Sequence, residues 1–185
     1  DEVREVIKTV RKLLEDLHRT NREVIERVKR TSEETHRKNE DMLRRLRKLV
    51  EDLKETLDRL EDKDTLRRIA EEIEKRIRKL LEEAEKINRE ALEEHKDLLR
   101  KLEEENKRIL EELKRLLDKL RKDVEDEKSL RDAEREVKKL LEELKRSLDK
   151  LREDVERLLR ENKESLDRLR EEVKKIEREL REKTR

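Results

Sequence analysis

The sequence has no glycine, proline, cysteine, tryptophan, tyrosine or phenylalanine in 185 residues. Average usage would supply about 7% Gly and 5% Pro, so each absence excludes something. Without Cys there is no disulfide framework and no thiolate metal site. Without Gly there is no glycine-rich phosphate loop and none of the tight hairpin turns that join β-strands. Apolar residues never run more than two together, as in Leu13-Leu14 and Leu49-Val50. That is too short for a membrane span or a signal-peptide core, so a soluble chain without a targeting segment is expected. Nor does one sign of charge dominate: 56 Lys and Arg face 55 Asp and Glu, for a net charge of +1.

What is present is 60% charged and 30% apolar residues. High charge with few apolar residues is one signature of disorder, but Leu, Glu, Lys and Arg in a helical rhythm signal long helices instead. The rhythm is plain. Apolar residues stand at 3, 6, 10, 13, 17, 24 and 28, and again at 42, 46, 49, 53, 57 and 60. Gaps of three and four mark one helix face. A second stripe at 7, 14, 25, 43 and 50 widens that face, which suits a helix with two neighbours better than a two-stranded coiled coil. The mean period lies above 3.5, so the helices should be nearly straight.

The seam breaks twice, at Glu61-Asp62-Lys63-Asp64-Thr65 and at Glu125-Asp126-Glu127-Lys128-Ser129. Each break offers N-cap residues before a new apolar run: Asp64 or Thr65 before Leu66, and Ser129 before Leu130. Helices are therefore expected at about 2–61, 65–124 and 130–184, with turns at about 62–64 and 125–129. Lacking Gly, these turns call for a Lys or Asp in the left-handed conformation, at a cost of roughly 1 kcal/mol. The rival is one helix of the whole chain, about 280 Å long.

Polar residues on the apolar face decide between them. If the first turn centres near Lys63 and the second near Glu127, residues equidistant from a turn face each other. Asn106 then meets Thr20, Asn21 and the neighbourhood of Ser147. His95 meets Thr31 and Ser32, with Asn162 within a turn, and Asn88 meets Asn39 and Ser165. Three polar layers align only if the chain folds up, down and up. The expected fold is thus an all-α, antiparallel three-helix bundle of long (about 60-residue) helices, a single domain over 1–185 with one continuous core. Its structural polar layers are Asn21, Asn106 and Ser147; Thr31, Ser32, His95 and Asn162; and Asn39, Asn88 and Ser165. Every polar atom in them should find a partner, because an unsatisfied one costs about 1–3 kcal/mol.

Residues 109–125 and 140–156 are identical except at Ile109/Leu140, Leu116/Ser147 and Lys122/Glu153. Within this shared apolar template, one core position has become Ser147, at the level of Asn106. That exchange reads as the completion of a layer.

Three His invite a chemical reading. Glu15-x-x-His18 and Glu33-x-x-His36 have the spacing used in di-iron bundles, where two such motifs must face each other from different helices. Both lie on the first helix, about 27 Å apart, and Leu92 stands where His95 would need its Glu. Neither a metal nor a cofactor is expected. Ser32 and Thr31 near His95 supply a hydroxyl and a base, but no orienting carboxylate, cleft or oxyanion hole accompanies them, so the chain reads as a non-enzyme. Interleaved charges and missing aromatics exclude nucleic acid and membrane surfaces as partners, and no small molecule is expected. His18, His36 and His95 remain candidate pH sensors, since protonation would put charge into the layers.

The absence of Gly, Pro and aromatics, the Glu-Glu-Leu-Lys-Arg filler and the layered Asn, Ser, Thr and His resemble de novo designed helical bundles with buried hydrogen-bond networks. The resemblance covers the whole chain and implies high stability, orthogonal pairing and no natural activity. Loops of such bundles usually contain Gly, and these do not. Spectrin-like rods, with shorter helices and a core Trp, fit less well. The functional expectation is a structural scaffold whose layers specify helix pairing and register. The alternatives are a helix-pairing module that self-associates or takes a helical partner, and a pH-responsive bundle. No partner is required.

Overall fold

Uninterrupted good helix formers, with no Gly or Pro to break them, favour very long helices. The computed structural model describes residues 2–185 and contains α1 (Glu2–Arg59), α2 (Lys63–Asp123) and α3 (Glu127–Lys183). Acidic residues occupy the first turns (Glu2 and Glu5, Asp64, Glu127) and basic ones the last (Arg59, Arg121 and Lys122, Arg181 and Lys183). Both placements oppose the helix macrodipole.

The first turn, at 60–62, is as long as expected but lies two residues earlier, the second, at 124–126, is shorter, and both new helices start earlier. Asp62 and Asp126 are the caps, in place of Asp64, Thr65 and Ser129. Asp62 Oδ1 accepts the Asp64 N–H at 3.2 Å, its Oδ2 accepts the Thr65 hydroxyl at 2.8 Å, and its carbonyl accepts the Leu66 N–H at 3.1 Å. Asp126 repeats the set with Lys128 (3.2 Å), Ser129 (2.8 Å) and Leu130 (3.1 Å). In the usual capping box a hydroxyl at the cap is answered by a carboxylate three residues on; here the roles are exchanged. No described residue has positive φ, so the expected left-handed Lys or Asp is absent. The carboxylate caps take up N–H groups at the start of each new helix.

Contacts divide the chain into two compact units, Asp1–Lys29 with Glu94–Arg157, and Arg30–Glu93 with Leu158–Arg185. Each takes a segment of every helix, and each contains one of the two turns. In the first unit Val10, Leu14, Leu17, Ile109, Leu113, Val137 and Leu144 form the buried core. In the second, Met42, Leu46 and Leu57 of α1 pack with Ile73 and Ile77 of α2 and with Leu169, Val173 and Ile176 of α3. The apolar core therefore comes as two clusters rather than one continuous run. Along α1 the buried positions between Val28 and Met42 are Ser32, Thr35 and Asn39, all polar.

Ion pairs record the helix directions within each unit. In the second, Arg47 meets Glu172 (3.8 Å) and Lys54 meets Glu179 (3.5 Å), so α1 and α3 run parallel. Arg78 meets Glu177 (3.4 Å) while Glu85 meets Arg170 (3.2 Å), so α2 runs antiparallel to α3. The first unit repeats the antiparallel relation through Arg121–Glu134 (2.8 Å) and Glu103–Arg152 (3.6 Å). The fold is an up-down-up three-helix bundle.

Candidate functional site

Helical hydroxyls mostly satisfy themselves. Thr35 Oγ1 donates to the Thr31 carbonyl at 2.8 Å and Thr20 Oγ1 to that of Asp16 at 3.0 Å, the local bond to the preceding turn that Ser and Thr favour. An asparagine amide has two N–H donors and an acceptor oxygen. It can bond back to its own helix and still reach across.

In the second unit it does both. Asn39, 2% exposed, donates through Nδ2 to Asn88 Oδ1 (3.1 Å) and to Ser165 Oγ (3.1 Å). Asn88 Nδ2 returns a bond to Asn39 Oδ1 (2.7 Å) and donates to the Ala84 carbonyl (2.7 Å). The layer links all three helices, and both amides use their donors and their oxygen. In the first unit Asn21, 1% exposed, faces Asn106 in the same reciprocal way, at 3.5 and 3.2 Å. Asn106 also donates to the Leu102 carbonyl at 2.6 Å. Ser147 is half-buried and no hydrogen bond joins it to the pair.

The remaining layer is arranged differently. His95 belongs to the first unit, whereas Thr31, Ser32 and Asn162 belong to the second. His95 is fully buried, and neither of its ring nitrogens has a hydrogen-bond partner among the described residues. The expectation of a partner for every buried polar atom fails here. Thr31's carbonyl is taken by Thr35, and Asn162, though buried, lines an open groove with Ser32, His36, Leu158 and Glu161. Burial in apolar surroundings lowers the His95 pKa below 6.5, partly opposed by the carboxylate of Glu94.

The other two histidines are more open. His18 is half-buried. His36 places Nε2 3.1 Å from Glu40 Oε1, while its buried Nδ1 lacks a partner. Among the described residues no three His, Asp or Glu side chains gather into a group that could hold a metal ion, and no helix is long and apolar enough to cross a membrane.

The geometry defines a bundle with two asparagine-based layers. A solved structure described as a computationally designed three helix bundle is similar, at 18% identity over 100% of this chain and 89% of that one, with a TM-score of 0.47. No family model and no curated protein matches the chain.

Two features lay outside the sequence reading. One is the pair of aspartate caps, whose signal was the shared pattern Glu-Asp-x-x-Thr/Ser-Leu at both breaks. The other is the groove between α1 and α3 in the second unit, which no periodicity reveals.

Proposed function

We propose that the chain is a designed structural scaffold, one bundle domain over 1–185, whose asparagine layers specify which helices pair and in what register. The observation that carries this reading is the reciprocal Asn39–Asn88 pair, with Ser165 joined through Asn39 and every amide donor used. Sliding a helix by one turn puts Leu against Leu elsewhere at small cost, but it strands a buried amide at about 1–3 kcal/mol. The layers thus discriminate between registers that the Leu seam alone would tolerate. A scaffold of this kind performs no reaction and requires no partner. The near-duplicate segments and the two equivalent Gly-free turns fit deliberate design.

The test replaces Asn21, Asn39, Asn88 and Asn106 with Leu and Ser165 with Ala. The expected outcome is equal or greater thermal stability with loss of uniqueness, seen as concentration-dependent mass and broadened amide spectra, while the parent chain keeps one chain's mass. A layerless variant that stays a monomer with equally sharp spectra sinks the reading.

A second reading, a bundle that responds to pH, is favoured by the buried, unpartnered ring of His95. Glu94 on the same helix adjoins it in sequence, and Arg27 of α1 pairs with that Glu94 at 3.6 Å.

A further inference from the structure

Charges alternate so evenly in this sequence that a cationic site is not expected, yet the fold sorts them. In the second unit α1 and α3 enclose an open groove of about 770 Å³, with Arg44, Arg47, Arg168, Lys175 and Arg178 on its walls. Its three lining carboxylates are all engaged. Glu40 lies 3.1 Å from His36 Nε2, Glu172 pairs with Arg47 at 3.8 Å, and Glu171 with Lys174 at 4.0 Å. Arg44, Arg168 and Lys175 have no carboxylate partner among the described residues. Arg44 also lines an adjoining groove with Arg37 and Arg30, and these two are likewise unpaired. Elsewhere in the unit the cations that bridge helices are matched, as in Lys54–Glu179, Arg78–Glu177 and Lys183–Asp58.

We infer that this groove binds a linear polyphosphate, held by Arg44, Arg168 and Lys175 and extended by Arg37, which lines the adjoining groove. Arg168 and Lys175 stand two helical turns apart on α3, as do Arg44 and the Arg37 of the adjoining groove on α1, so positive charge recurs roughly every 10 Å along each helix. The two walls run in the same direction, because α1 and α3 are parallel here. A lone phosphate would meet one end of this array, whereas a chain of phosphates meets its repeat. Guanidinium groups suit the ligand, since their planar forks match two phosphoryl oxygens at once. Leu43 is the single apolar residue among the lining, which argues against an apolar guest. The groove is open to water, so binding is modest in strength and sensitive to salt.

The test titrates sodium tripolyphosphate into the full chain by calorimetry at low ionic strength. Saturable one-to-one binding is expected, weakened about tenfold or more in Arg44→Gln/Arg168→Gln, with little change in Lys114→Gln/Arg115→Gln, which removes equal charge from the first unit. All four side chains are exposed, so circular dichroism should confirm unchanged helicity. Absence of binding at low salt overturns the inference. So does an equal loss in both double variants, which would make net charge the cause, or a single-stranded oligonucleotide that binds where tripolyphosphate does not.

Discussion

Asn39 and Asn88 are coupled, so deleting one partner should cost more than deleting both. Asn88→Leu leaves Asn39 buried with an unmatched oxygen and is expected to destabilise by about 1–3 kcal/mol. The double variant Asn39→Leu/Asn88→Leu should recover much of that loss, and urea denaturation of the four-member cycle measures the coupling. Additive losses would mean the pair carries no cooperative energy. His95 makes a different prediction. Its folded pKa lies below 6.5 because burial penalises the charged ring. As pH falls through about 6.5, the unfolded chain takes up a proton that the folded chain refuses, so stability declines toward acid and is fully present above that value. The melting midpoint should therefore drop between about pH 7 and 5.5, before most carboxylates titrate. In His95→Leu that part of the slope should vanish.

The second and third helices each begin after an aspartate that fills two roles, cap and dipole partner. Asp62→Ala and Asp126→Ala should each lower stability by about 0.5–2 kcal/mol, read as a shift of the denaturation midpoint without a change in slope. Glycine, by contrast, should not help these turns. Every described backbone φ is negative, so Glu61→Gly and Glu125→Gly gain no relief and lose stability through the flexibility of the unfolded chain. A stabilised glycine variant would show that the turn is strained after all.

Stability of the assembled bundle rests on its two apolar clusters rather than its many charges. Leu46 is completely buried in the second unit's core, and Leu46→Ala should cost about 2–5 kcal/mol. Lys54, half-exposed and 3.5 Å from Glu179, should contribute under about 1 kcal/mol, since such pairs lie in water and are screened. Chemical denaturation of Leu46→Ala and Lys54→Gln side by side checks the contrast. A larger loss for Lys54→Gln would assign the bundle's stability to its surface network.

The sequence by itself determined three long helices packed as a bundle, because a seam of gaps of three and four, twice interrupted, admits one economical folding. The Asn positions were legible for the same reason: a polar residue on an apolar face must be matched. Its reading went astray where the deciding interaction was local and reciprocal. Asp62 and Asp126 looked like turn residues, and only backbone geometry reveals carboxylates gathering the N–H and hydroxyl groups that follow them. Tertiary structure alone decided which members of a layer bond. The two-ended Asn amides reach across, Thr hydroxyls turn back to their own helix, and Ser147 joins no pair. His95 is buried without a hydrogen-bond partner among the described residues, since a sequence level fixes a place along a helix and cannot aim a side chain. Charge followed the same division: the net value was plain from composition, while the unmatched arginines of one groove exist only once α1 and α3 lie side by side.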